Sequence, residues 1–313
     1  MVDSLDRQLV HALGVDGRAS FSRIAAALDR SDRTIAHRYH QLRAAGLRVI
    51  GVVNARKAGH VDWLVRIRCA PDAAATVAAA LSRRDDTSWV AILSGGTEIT
   101  CITRIRTGED YLLLERLART PRINGVTAHC MLRELAGVGG WPGRVSELTS
   151  DQIEAIRPPH TGAGPVGDLT TQDWALLGAL AIDGRTTYPR LAAVTGWSES
   201  TVRRRLAELL AAEILYLDVD IDPALFGYGC QAIIWLTVRP AALTTVAQTL
   251  AGHREIAFAA ATTGASNIFA FLVVRDLDGL YDYLADRIGG LPGVLQVDTA
   301  PLGRQVKSAG RIV

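Results

Sequence analysis

Apolar positions along this chain follow two rhythms that alternate and then return. Leu5, Leu9 and Leu13 fall four residues apart, one stripe of a helix that Gly14 and Asp16-Gly17 would end. Ser20 can cap a second helix with Ile24 and Leu28 facing inward, Ala25 and Ala26 allowing close packing. After a tight turn, Ser31 can cap a third helix with Ile35, Tyr39 and Leu42 inward and Gly46 at its end. The period then shortens. Residues 62–69 (DWLVRIRC) alternate apolar and polar, as a half-buried strand does. An alanine-rich helix over 72–82 follows, then strands over 88–93 and 99–105 joined by a turn at Ser94-Gly95-Gly96-Thr97. A helix over 109–119 and a closing strand over 126–135 complete the set.

The whole pattern occurs twice. Asp16-Gly17-Arg18 returns as Asp183-Gly184-Arg185, and Ser31-Asp32-Arg33-Thr34-Ile35 as Ser198-Glu199-Ser200-Thr201-Val202, both 167 residues on. Ser94-Gly95-Gly96-Thr97-Glu98 matches Thr263-Gly264-Ala265-Ser266-Asn267 at a shift of 169, a drift equal to one small loop insertion. Trp174, Leu177, Leu180 and Ala181 supply the first helix of the second copy. Pro189 lies near the start of its second helix, and Val202, Leu206 and Leu209 line its third. Its later elements are expected over 231–238, 241–251, 256–262, 268–274, 277–288 and 294–302. Glycine and proline clusters at 137–143, Pro158-Pro159 and 162–165 mark a linker, with a short capped helix over Ser150–Ile156 inside it.

Three short helices with a tight turn between the last two describe a helix-turn-helix. Its outward face carries Arg33, His37 and His40, with Thr34 and Arg38 on the flanks. In the second copy Ser200, Arg203 and Arg204 stand outward, with Thr201 and Arg205 beside them. Charge supports a polyanionic partner more at the first face than at the second. Residues 18–48 hold seven arginines against Asp29 and Asp32, whereas 185–213 hold five against Glu199, Glu208 and Glu213. The net charge of the 313 residues is only +2, and lysine occurs only at Lys57 and Lys307, so nearly all positive charge is arginine, suited to bidentate phosphate and guanine contacts.

The later elements read strand-helix-strand-strand-helix-strand, a ferredoxin-like arrangement whose helices cover one sheet face and leave the other to find cover, commonly a second such sheet. The fold class is therefore α+β: two helix-turn-helix (winged-helix-like) domains and two βαββαβ domains in tandem. Expected bounds are 1–50, a connector 51–61, 62–136, a linker 137–167, then 168–215, a connector 216–229 and 230–307.

In order and spacing these motifs resemble the Lrp/AsnC (feast/famine) regulators. The resembling residues are Leu5-Asp6-Arg7, Asp16-Gly17-Arg18, Ser31 through Leu42 leading to Gly46-Leu47, the turn from Gly95 to Glu98, and Gly125-Val126. The resemblance spans nearly the whole chain twice, outside the linker. It implies a DNA-binding domain joined by a strand to a ligand-sensing, dimer-forming domain, usually responsive to amino acids. The expected partners are double-stranded DNA, a small-molecule effector and further copies of the chain. Whether the sensor halves pair within or between chains is left open. DNA contacts are expected from Ser31, Arg33, Thr34, His37 and Arg38, and from Ser198, Ser200, Thr201, Arg203, Arg204 and Arg205. Because the two faces differ, an asymmetric operator is expected. Effector contacts are expected from Gly95, Gly96 and Glu98, and from Gly264, Ser266 and Asn267. Two departures stand out. Asp29 occupies a turn position where glycine is common, as at Gly196, and the family's sensing turn tends to end in aspartate, replaced here by Glu98 and Asn267. Two inequivalent pockets follow as an expectation, because a carboxylate can pair with an amino group and a neutral amide can only hydrogen-bond it.

The sirohaem decarboxylases share this resemblance, so an enzyme of that type is one alternative; a metabolite-binding module without DNA is another. The seven histidines show no recognisable catalytic spacing with a carboxylate, and no Walker loop, G-x-G-x-x-G after a strand or nucleophile elbow occurs, so no catalytic residues and no cofactor are expected. His37 and His40 lack a third metal ligand, and the four cysteines form no C-x-x-C pair, so no metal is expected and reduced thiols in a cytoplasmic protein are. No apolar run reaches the ~20 residues of a membrane span, and the first residues lack the pattern of a signal peptide.

Overall fold

The computed structural model describes residues 2–106, 112–137, 141, 147–158, 167–309 and 312–313. The expected helix start at 109–111 and much of the Gly/Pro-rich linker lie outside them. The first copy contributes α1 (Ser4–Val15), α2 (Phe21–Leu28), α3 (Asp32–Ala44), β1 (Arg48–Val53), β2 (His60–Cys69), α4 (Pro71–Ser82), β3 (Thr87–Leu93), β4 (Glu98–Arg106), α5 (Leu112–Ala118) and β5 (Ile123–Ala136). After α6 (Ser150–Ile156) in the linker come α7 (Thr171–Ile182), α8 (Tyr188–Thr195), α9 (Glu199–Ala211), β6 (Leu215–Asp220), β7 (Cys230–Val238), α10 (Leu243–Ala251), β8 (Ile256–Thr262), β9 (Ile268–Val274), α11 (Leu277–Asp282) and β10 (Val294–Gln305). The single helix expected over 277–288 is interrupted: α11 passes into a π-helical turn over Tyr283–Ile288. The elements sort into two units, each drawing on both copies. Residues 1–58 and 144–226 form the head unit, and 59–143 and 227–313 the sensor unit.

In the head unit the expected caps at Ser20 and Ser31 form, and α1 carries one that was not expected. Asp3 and Asp6 form a capping box on α1, Ser20 caps α2, and the Ser31 and Ser198 hydroxyls cap α3 and α9. Asp29 does adopt the left-handed conformation (φ 51°) that Gly196 adopts in the second head (φ 73°). The inward face is broader than one stripe, since Val10 and Leu176 join the expected residues in the core. The two heads are locked together. β1 and β6 pair antiparallel from Arg48↔Asp220 to Val53↔Leu215. Arg18 donates to the carbonyls of Gly184 (2.6 Å) and Thr186 (3.0 Å). Arg185 returns the contact to Gly17 (2.8 Å) and Ala19 (3.0 Å). Each guanidinium lies over an aromatic ring of the opposite head, Arg18 over Tyr188 and Arg185 over Phe21 and Tyr39. A Cβ on Gly17 would come 2.8 Å from Val49 and 2.9 Å from Leu217, and one on Gly184 within 3.0 Å of the same two side chains. The repeated Asp-Gly-Arg motif is thus a reciprocal clamp. α6 packs on α1 and α2 of the first head, burying Ile156 completely.

In the sensor unit the two expected sheets face each other and also join at their edges, giving a closed eight-stranded ring in the order β10-β3-β4-β2-β5-β8-β9-β7. Two long strands close it. β5 pairs with β2 through Cys130 and then with β8 from Met131, while β10 pairs with β7 through Pro301 and then with β3 from Leu302. Closure leaves no free sheet edge in the ring. Leu64, Ala91, Leu93, Ile233, Trp235, Phe269 and Ala300 share the core between the two copies.

Candidate DNA interface and effector turns

The third helices of the two heads, α3 and α9, are positioned by their inward residues Ile35, Tyr39 and Leu42, and Val202, Leu206 and Leu209, which leave a polar strip outside. Ser31 Oγ accepts from Thr34 N (3.1 Å), and Ser198 Oγ from Thr201 N (3.2 Å), so these four residues shape the helix starts. Arg33, His37 and His40 are exposed, and neither Arg33 nor His37 has an ion pair among the described residues. Ser200, Arg203 and Arg204 are exposed on the second head, where both arginines are engaged. Arg204 pairs with Glu208 at 2.5 Å, and Arg203 lies 3.9 Å over the Tyr188 ring with Glu199 nearby. Among the described residues, the first face therefore holds an arginine without an ion pair, Arg33.

The flanking arginines are turned elsewhere. Arg205 clasps Asp173 with two hydrogen bonds (2.6 and 2.9 Å) and also reaches Glu208. Arg38 reaches Asp3 (2.8 Å) and Asp6 (3.5 Å). The reason is a buried carboxylate, Asp6 or Asp173, that serves the helix cap and requires a counter-ion. Burial raises the pKa of Asp173, but the Arg205 guanidinium and the Thr170 donors outweigh it and hold the carboxyl below its ordinary value.

The two candidate effector turns are built differently. Ser94, Gly95 and Gly96 all have positive φ (50°, 65° and 93°), and the Ser94 carbonyl accepts from Thr97 N and Oγ1. Glu98 is held by Arg66 through Nε (3.0 Å) and Nη2 (2.9 Å), and Arg66 also donates to Asp298 of the second copy (2.5 Å). In the second turn Gly264 (φ 103°) lies against the His129 ring, whose Nδ1 is 2.6 Å from the Thr263 carbonyl. The Ser266 and Ala265 carbonyls accept threonine hydroxyls, and the Asn267 amide spans the Val238 backbone, accepting from N (2.9 Å) and donating to O (2.7 Å). The expected inequivalence has a structural counterpart: one turn presents a carboxylate already paired with arginine, the other an amide already paired with backbone. Sequence reasoning missed Arg66, Asp298 and His129. The one available signal was a charge at position 66, in register with inward Leu64 on an alternating strand.

The model of the AsnC-type helix-turn-helix domain matches residues 2–43 and 169–210, and that of the Lrp/AsnC ligand-binding domain matches 231–312. An uncharacterised HTH-type transcriptional regulator of Pyrococcus furiosus is 34% identical over 135 residues, 43% of this chain and 91% of that protein. The HTH-type transcriptional regulator LrpA of Pyrococcus abyssi is 28% identical over 137 residues, 44% of this chain and 97% of that protein. The crystal structure of the siroheme decarboxylase NirDL has the same fold across 99% of this chain and 94% of that one, with a TM-score of 0.64 at 14% identity. With head matches in both copies and a relative spanned almost end to end, the chain belongs to the Lrp/AsnC family.

Proposed function

We propose that this protein is a sequence-specific, double-stranded-DNA-binding transcriptional regulator that responds to a small-molecule effector, an amino acid or related metabolite. The observation that carries the reading is the locked pair of heads, which presents two exposed reading helices of unlike composition. Arg33, Thr34 and His37 would read one half-site and Ser200, Thr201, Arg203 and Arg204 the other, so the operator would be asymmetric. Ser31 and Ser198 would order the helix starts against phosphate, and Arg38 and Arg205 would hold the helices in place. Gly95, Gly96 and Glu98, or Gly264, Ser266 and Asn267, would contact the effector, and further copies of the chain would assemble on DNA. Among the described residues no helix is long and apolar enough to cross a membrane.

The test is gel shift and footprinting on the intergenic DNA flanking the gene, with and without an amino-acid panel. Retention should fall steeply with salt as arginine–phosphate contacts release counterions. Protection of an asymmetric site would support the proposal; no salt-sensitive retention of any duplex would overturn it. A second reading, tetrapyrrole decarboxylation, is favoured by the NirDL likeness across 99% of the chain. An absorbance change on adding sirohaem, with product formed, would select it instead.

A further inference from the structure

The 169-residue shift that takes Glu98 to Asn267 also takes Arg66 to Trp235, and strand register supports the equivalence. Arg66 faces Thr100 across β2 and β4, and Trp235 faces Phe269 across β7 and β9, again 169 residues on. These two equivalent residues touch. The Arg66 guanidinium lies 3.9 Å from the centroid of the Trp235 ring, so the approximate two-fold axis relating the sensor copies passes between them. Position 66/235 therefore meets its own counterpart. Its third partner is also particular to one copy: beside Trp235 in the closing strand stands Asp298, which Arg66 reaches, whereas beside Arg66 stands Thr127.

We propose that Arg66, Trp235 and Asp298 make the two sensor copies complementary to each other and refuse like-with-like pairing, so that the partner this inner sheet face accepts is the unlike copy. Two first copies would bring one Arg66 guanidinium onto another, each without Trp235 and Asp298. Two second copies would stack Trp235 on Trp235 and leave Asp298 with no cation. Only the unlike pair gives one cation, one ring beneath it and a carboxylate on each side, Glu98 and Asp298. A related regulator carrying a single sensor copy would likewise be turned away unless it presented the missing ring and carboxylate.

The intact chain can carry the charge and ring content of each forbidden axis. W235R brings two guanidiniums together as a first-copy pair would, with Asp298 still beside them, W235M removes the ring without adding charge, and R66W/W235R exchanges the residues so that a single arginine stands beside Asp298. Thermal unfolding of the full chain reads the outcome. We expect W235R to melt at least ~4 °C below W235M and R66W/W235R to recover most of that gap. In the second-copy axis, R66W should lose stability, and R66W/E98Q/D298N, which neutralises both carboxylates that Arg66 served, should regain part of it. If W235R does not fold, the exchanged variant still decides. A W235R midpoint equal to that of W235M would overturn the proposal, and so would an exchanged variant no better than W235R alone.

Discussion

Two arginines of the third helices, five residues apart in sequence, do different things. Arg33 is exposed and has no ion pair among the described residues, while Arg38 is drawn back onto the acidic start of α1. The second head sharpens the contrast, since Asp173 is only 1% exposed and Arg205 is its counter-ion. Arg205→Ala should cost about 3 kcal/mol of stability, because the carboxylate is left buried with only its capping donors. Calorimetry should show the loss. Arg33→Ala should leave the melting temperature unchanged and weaken DNA by roughly 1–3 kcal/mol if it reads a base. Asp173 also sets an acid limit. Its folded pKa is depressed, so its contribution is present above the unfolded value of about 4 and is lost as pH falls through the lower folded one. The wild type should lose stability over that acid range and Arg205→Ala should lose less, a difference that denaturant titration at stepped pH measures.

Among the elements, α6 lies between the two copies and packs on the first head. Its N-terminal approach is held by His11, whose Nδ1 accepts from Glu147 N and Leu148 N, both at 3.2 Å. Burial lowers the His11 pKa, partly offset by Glu147. The docking is therefore present above the unfolded value of about 6.5 and lost as pH falls through the lower folded one. Hydrogen exchange, corrected for intrinsic rate, should show protection of 147–156 falling as pH drops below about 6.5, and His11→Ala should remove that dependence. Glycine at the clamp is equally specific: Gly17→Ala, forced against Val49 and Leu217, should destabilise the head unit by about 1–3 kcal/mol. These elements also show what the sequence made legible. Caps, inward stripes and the alternating 62–69 strand are local signals, so helices, strands and the repeat could be read directly. Ring closure could not, because whether β5 continues past its own sheet onto β8 depends on pairings over a hundred residues apart. The site was legible as positions rather than states. Arg33 and Glu98 could be singled out as candidates, but the partner of Glu98 lies on another strand and that of Arg66 in the other copy.

At the scale of the whole molecule, both copies of each part are consumed inside one chain. The separation of the heads is set within the head unit by the β1–β6 ribbon and by Arg18 and Arg185. Removing one clamp by Arg185→Ala should weaken binding to the full operator more than to an isolated half-site, since only the former needs both helices in register. Fluorescence anisotropy on the two duplexes would measure the difference. The ribbon has another consequence. Where two separate polypeptides must first meet, dilution to a few molecules per cell dissolves the reading pair. Here the second head is tethered to the first, and joining them is a unimolecular event. Occupancy of the operator by one such pair should rise in direct proportion to protein copy number rather than to its square, so even a weakly expressed gene would deliver working pairs.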